Sequence, residues 1–118
     1  MKKNFALIGY GSWGKKIGEE IKKNKNFNLK HIVSKSLEQN KKDIKIYRDI
    51  NEILNLNELD CVYVAKNPKE NFEVLNEFKS KKIPIILEKP ISDSTSKCNE
   101  IINLIHKRQL KVFTNLPN

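Results

Sequence analysis

Apolar residues in this chain come in short runs, and the runs alternate with stretches in which apolar side chains recur every three or four positions. Phe5 to Gly9, Leu29 to Ser34, Lys45 to Tyr47, Cys61 to Ala65, Ile83 to Glu88 and Val112 to Asn115 read as strands. Most are continuously apolar rather than alternating, which suits a sheet covered on both faces. Trp13, Ile17 and Ile21 fall at helical spacing between the first two strands. Phe72, Leu75 and Phe78 do so further on, as do Cys98, Ile101, Ile102 and Ile105 near the end. Ser94 has the side chain and the place to cap the last of these helices. Ser34 to Asp43, polar with one isolated Leu37, fits neither pattern. Strands alternating with helices imply right-handed crossovers. The expectation is therefore an α/β domain with a doubly wound parallel sheet of six strands, order 3-2-1-4-5-6, occupying the whole chain from residue 1 to 118.

Composition narrows the class. With 118 residues, 38% hydrophobic and 31% charged, the chain is one foldable domain, small for a whole enzyme. No apolar run approaches the roughly 20 residues that span a bilayer. Met1-Lys2-Lys3 opens directly onto a strand-like run with no cleavage site, so a cytoplasmic protein without a membrane partner is expected. The formal charge of +9 invites nucleic acid, but of the 23 basic residues only Arg48 and Arg108 carry the guanidinium suited to bidentate recognition. The lysines are spread from Lys2 to Lys111, which reads as a solvated surface and not a nucleic-acid groove. Cys61 and Cys98 match no metal spacing and sit among apolar residues, as buried thiols rather than a disulfide.

Candidate chemistry gathers at three places. Gly9-Tyr10-Gly11-Ser12-Trp13-Gly14 has the G-x-G-x-x-G spacing, leaves the first strand and enters the first helix. In that setting Gly9 allows the tight turn, Gly11 lets a pyrophosphate approach the backbone, and Gly14 lets helix and strand pack closely. A glycine turn with no ligand is the competing reading, and Trp13 reads as a packing residue before a cofactor contact. The second strand ends in Val33-Ser34-Lys35-Ser36, where a domain that binds NAD places a carboxylate on the ribose. Two hydroxyls and an ammonium lean instead to the 2′-phosphate of NADP, with NAD the alternative and a polar loop without contacts the bland reading. Ile86 to Ser94, ILEKPISDS, delivers Glu88, Lys89 and Pro90 to the carboxyl edge of the sheet, where Lys89 is either a cationic donor or a surface residue. His31, inside a strand, and His106, late in a helix, read as structural or solvated.

The segments LIGYGSWGKKIGEEI and DCVYVAKNPKENFEVLNEFKSKKIPIILEKPIS, with their separation, resemble the Gfo/Idh/MocA oxidoreductases over Phe5 to Asn115. The resemblance implies a Rossmann domain binding NAD or NADP and action on sugars, sugar nucleotides or cyclitols. The form G-Y-G-S-W-G is similar to members acting on nucleotide-linked sugars. By the same resemblance Gly9, Gly11, Ser12, Trp13 and Gly14 hold the pyrophosphate, and Ser34, Lys35 and Ser36 read the adenosine ribose. Lys66, Asn67 and Pro68 lie beside the ribose and nicotinamide. Glu88 and Lys89 belong to the cofactor site, and Lys89 is the catalytic candidate beside nicotinamide and substrate, with Pro90 often preceded by a cis bond in relatives. Relatives carry Thr-Pro-Asn and then a His where this chain has Lys66-Asn67-Pro68 and Asn71. They also continue into a second domain that supplies the substrate pocket, the usual catalytic acid and the dimer interface. The expectation is therefore the cofactor half of an oxidoreductase, inactive alone, whose partners are a dinucleotide and either a separate catalytic chain or a second copy. A nucleotide-binding module without catalysis and a non-binding interaction domain of the same fold are the alternatives.

Overall fold

The structure, a computed structural model, describes residues 2–38, 43–88 and 90–115. In chain order the elements are β1 (Lys3–Ile8), α1 (Ser12–Lys23), β2 (Phe27–Val33), β3 (Lys45–Tyr47), β4 (Cys61–Val64), α2 (Asn71–Glu77), β5 (Ile85–Glu88), α3 (Thr95–Arg108) and β6 (Val112–Asn115). Single 3-10 turns occupy Ile50–Glu52 and Pro68–Glu70. The six strands form one sheet in the order β3-β2-β1-β4-β5-β6, every pair parallel, as the pattern of runs predicts. This is the Rossmann arrangement, and its strand order reverses between β1 and β4.

Continuous apolar runs are explained by two buried faces. Phe5 and Leu7 of β1 pack with Ile17 and Ile21 of α1 and with Leu29 and Ile32 of β2. Ala6 and Ile8 face the other way, among Val62, Val64, Ile85, Leu87, Val74 and Leu75 of α2, and Ile101 of α3. Leu29 and Ile32 share a face despite their odd spacing because the β1–β2 register shifts between Phe5 and Ala6, whose partners are Leu29 and His31. One extra residue on one strand reverses the alternation from there on.

Several expectations need correction. β1 begins at Lys3 and β2 at Phe27, earlier than their apolar runs, since polar Asn4 and Asn28 pair through their backbones. Trp13 does not pack in the core: it is 50% exposed, with Lys16 Nζ 5.9 Å from its ring centroid. The face α1 presents to the sheet is Gly14, Ile17, Gly18 and Ile21. Positions four apart advance by 400°, so Trp13 lies about 80° around the helix from Ile21 and falls off that face. On α3, Ile102 is 41% exposed, and Leu104 takes its place against the core with Ile101 and Ile105. Ser94 does cap α3, its hydroxyl accepting from the Lys97 N–H at 3.2 Å.

The cysteines are free and half-buried, and burial pushes the Cys61 thiol up to about 11. Beyond α1 the same sheet face stays open: Phe113 is 58% exposed and, with Phe5, Tyr63 and Ile86, lines an apolar hollow of about 640 Å³. Among the described residues, no helix is long and apolar enough to cross a membrane.

Candidate functional site

Backbone pairing brings the carboxyl ends of three strands abreast. Gly9 N–H donates to the Val33 carbonyl at 2.9 Å, and Ala65 N–H donates to the Ile8 carbonyl at 2.8 Å. The chain turns at Gly9 with φ 95°, a conformation that suits glycine, and a Cβ there would lie 2.7 Å from the Ala65 carbonyl oxygen. Gly14 is required by contact: its Cβ would lie 2.3 Å from the Gly9 carbonyl oxygen.

Gly11 is different. Its φ of −76° is open to any residue, and an added Cβ would meet nothing within 4 Å. It is the N-cap of α1, a position where Ser, Asp or Asn would do better, and no side chain caps this helix. The first turn holds no acidic residue either. Since Lys15 N–H is the one that reaches the Gly11 carbonyl, at 2.9 Å, the N–H groups of Ser12, Trp13 and Gly14 have no intrahelical acceptor. Bare donors at the positive end of a twelve-residue helix, under open space kept clear by a glycine, fit a pyrophosphate.

Beside this turn is a cavity of about 320 Å³ lined by Gly9, Tyr10, Ser34, Lys35, Ser36, Arg48, Asp49 and Lys66 among others. Ser34 is 6% exposed, and its hydroxyl accepts from the N–H groups of Ser36 at 3.3 Å and Leu37 at 3.1 Å. It is engaged in shaping the loop, while Lys35 and Ser36 are exposed. Arg48, which sequence reasoning did not place here, donates from Nη1 to the Ser34 carbonyl at 2.8 Å. The available signal was an arginine immediately after β3 in a chain otherwise reliant on lysine. The turn that follows fixes it: Glu52 accepts from the N–H groups of Arg48 and Asp49, and Asp49 accepts from that of Asn51.

The remaining candidates sit along the same edge. Lys66 pairs with Glu70 at 3.2 Å, Asn67 accepts from the Lys69 N–H at 3.2 Å, and Pro68 opens the 3-10 turn. Lys66 reaches the cavity; Asn67 and Pro68 serve the turn. Asn71, 3% exposed, donates from Nδ2 to the Ile91 carbonyl at 3.0 Å, and its Oδ1 has no partner. Two strands from the glycine turn, Glu88 accepts from the Tyr63 hydroxyl. Lys89 lies outside the described residues. The structure therefore gathers Gly9, Ser34, Lys35, Ser36 and Lys66 around one cavity beside the α1 N-terminus, with Glu88 further along the sheet edge. His31 does not line the cavity; its Nδ1 is 3.1 Å from the Tyr47 hydroxyl, and burial with nearby Lys30 and Lys45 lowers its pKa.

A glycine turn at the switch point, with free helix N–H groups over open space, defines a dinucleotide-binding domain. Residues 3–116 match the GFO_IDH_MocA model, described as an oxidoreductase family with an NAD-binding Rossmann fold, and the chain belongs to that family. No curated protein sequence matches it. Among solved structures, a protein designated an oxidoreductase from Bacteroides fragilis is 23% identical with a TM-score of 0.80, over 98% of this chain and 35% of its own. Another so designated, from Magnetospirillum magnetotacticum, is 20% identical with a TM-score of 0.83, over 98% of this chain and 38% of its own. Scyllo-inositol dehydrogenase from Lactobacillus casei, solved with NAD(H) and scyllo-inositol, is 15% identical with a TM-score of 0.80, over 98% of this chain and 36% of its own. These similarities carry the fold, and the chain spans little more than a third of each relative's length.

Proposed function

We propose that this chain is the cofactor-holding part of an oxidoreductase acting on a sugar or sugar nucleotide, with NADP preferred to NAD. The observation that carries the dinucleotide reading is Gly11, whose glycine neither backbone strain nor packing requires, above three uncapped helix N–H groups. A bound dinucleotide would carry the hydride, giving it to the substrate in reduction and taking it in oxidation. The chain's own residues hold and orient it: the Ser12, Trp13 and Gly14 N–H groups take the pyrophosphate, and the Ser34–Ser36 loop meets the adenosine ribose. Lys66 and the Glu88–Pro90 segment serve the nicotinamide side, where Lys89 is the catalytic candidate. The hydroxylated-ring substrate is supported by the relative that binds scyllo-inositol.

The NADP preference is supported by Lys35 and Arg48 lining one cavity and by the lack of a carboxylate at positions 34–36. Asp49 also lines it, with its carboxylate engaged on the Asn51 N–H. Thermal melting with NADP, NAD, coenzyme A and no ligand tests the proposal, because a ligand that binds only the folded state raises its apparent stability. Stabilisation by NADP beyond NAD, and none by coenzyme A, is expected. No shift with either dinucleotide would overturn the dinucleotide reading. Lys35→Asp, which puts a carboxylate on the exposed part of the loop lining the cavity, should shift the preference toward NAD; an unchanged ratio would reject the assignment of this loop.

A further inference from the structure

The geometry points to Arg48 as the residue that discriminates NADP from NAD, through its guanidinium on the 2′-phosphate. This rests on the proposed NADP site and adds a residue from the loop that follows β3. In a Rossmann domain the end of β2 meets the adenosine ribose, so a 2′-phosphate sits beside whatever group is fixed there. Arg48 is fixed there, with Nη1 on the carbonyl of Ser34, the first residue after β2, at 2.8 Å. That bond uses one of the five N–H donors of a planar fork and leaves the others available. The guanidinium forms no ion pair with a carboxylate among the described residues, although Glu52 is close enough to accept from the Arg48 backbone N–H at 3.2 Å.

Lys35 is adjacent, but it is the weaker candidate. Its exposed side chain is not held by any hydrogen bond or ion pair among the described residues, so fixing it on a phosphate costs rotamer freedom. Lys66 is paired with Glu70 at 3.2 Å. Arg48 is tethered before the ligand arrives, by Ser34 on one side and by the capped turn of Asp49 to Glu52 on the other. A preorganised, bidentate donor contributes more of its interaction to binding than a free one. Ser34 then acts through its carbonyl and its buried hydroxyl, as the residue that sets the loop and anchors the arginine.

The test is titration of the wild-type chain and of Arg48→Gln, Arg48→Lys and Lys35→Gln with NADP, NAD, adenosine 2′,5′-bisphosphate and 5′-AMP, with a melting curve for each variant. Arg48→Gln should weaken NADP and the bisphosphate by about 10-fold or more, the lower end for a charge-assisted hydrogen bond, while NAD and 5′-AMP are unaffected. It should also flatten the salt dependence of NADP binding. Arg48→Lys should keep part of the preference, and Lys35→Gln should cost less than Arg48→Gln. A wild-type preference for NADP that survives Arg48→Gln would overturn the inference and leave the NADP reading standing. So would an equal loss of both dinucleotides, which would make Arg48 a support for the loop or a platform for the adenine. Equal wild-type affinity for NADP and NAD would overturn the underlying reading and the inference with it.

Discussion

Three glycines of one motif serve three different physical needs, and substitution separates them. Gly14 is a contact glycine: Gly14→Ala forces a Cβ to 2.3 Å from the Gly9 carbonyl oxygen, so the helix or the turn must shift. A loss of about 1–3 kcal/mol in denaturant melts is expected, as for other overpacked sites. Gly11 lacks that constraint, and Gly11→Asp should move stability the opposite way. An aspartate at the N-cap accepts from the free N–H groups and meets the positive end of the helix, worth a few tenths of a kcal/mol over glycine. The same carboxylate occupies the proposed anion site, so stabilisation by dinucleotide should vanish. A variant that is both more stable and unable to bind would distinguish a ligand-cleared glycine from a merely tolerated one. If Gly11→Asp binds dinucleotide as the wild type does, the pyrophosphate site is elsewhere.

At the scale of elements, the edge pair β2–β3 carries a pH-sensitive contact. His31 faces Lys45 in register, lies beside the Tyr47 hydroxyl, and has its pKa lowered from 6.5 by burial and by Lys30 and Lys45. Around that pH the unfolded chain therefore binds more protons than the folded one, and stability rises with pH. The contribution is fully present above 6.5 and is lost as pH falls through the lowered folded value. Urea melts from about pH 7.5 to about pH 5.5 should show a decline that His31→Gln reduces; an unchanged slope would remove His31 as its source. Further along the same face of the sheet, Phe78 closes α2 as its C-cap and is fully buried against Val74, Leu75 and the strands. Phe78→Ala should cost about 3–5 kcal/mol, a large share of the roughly 5–15 kcal/mol available to a domain of this size. A small change in the denaturation midpoint would mean that the core refills.

For the molecule as a whole, holding a hydride carrier is only part of catalysis, which also needs a positioned proton donor or acceptor. Neither histidine offers one to the cavity: His31 is bonded to Tyr47 within the sheet, and His106 is exposed in the last turn of α3. The purified chain should therefore bind dinucleotide yet leave sugars and sugar nucleotides unreduced and unoxidised. The check is spectrophotometric, at the absorbance of the reduced nicotinamide. Turnover by the chain alone, lost in Lys89→Ala, would show that the proton is handled within these residues.

The sequence by itself determined the sheet order, the placement of the glycine turn and the cap at Ser94. Each is written in local spacing: apolar runs long enough for buried strands, apolar positions three and four apart, glycines at fixed offsets between a strand and a helix. What lies between elements was hidden because spacing along the chain says nothing about side-chain reach across it. Gly14 and Gly18 bring α1 close to the sheet and leave Trp13 outside, and a register shift in β2 puts Leu29 and Ile32 on one face. The same holds for the site. Ser34, Lys35 and Ser36 could be read as the ribose loop from their distance beyond the glycines, but the burial of the Ser34 hydroxyl and the arrival of Arg48 from β3 could not. Fourteen residues separate Arg48 from the carbonyl that it holds, and only the parallel pairing of β2 with β3 closes that distance.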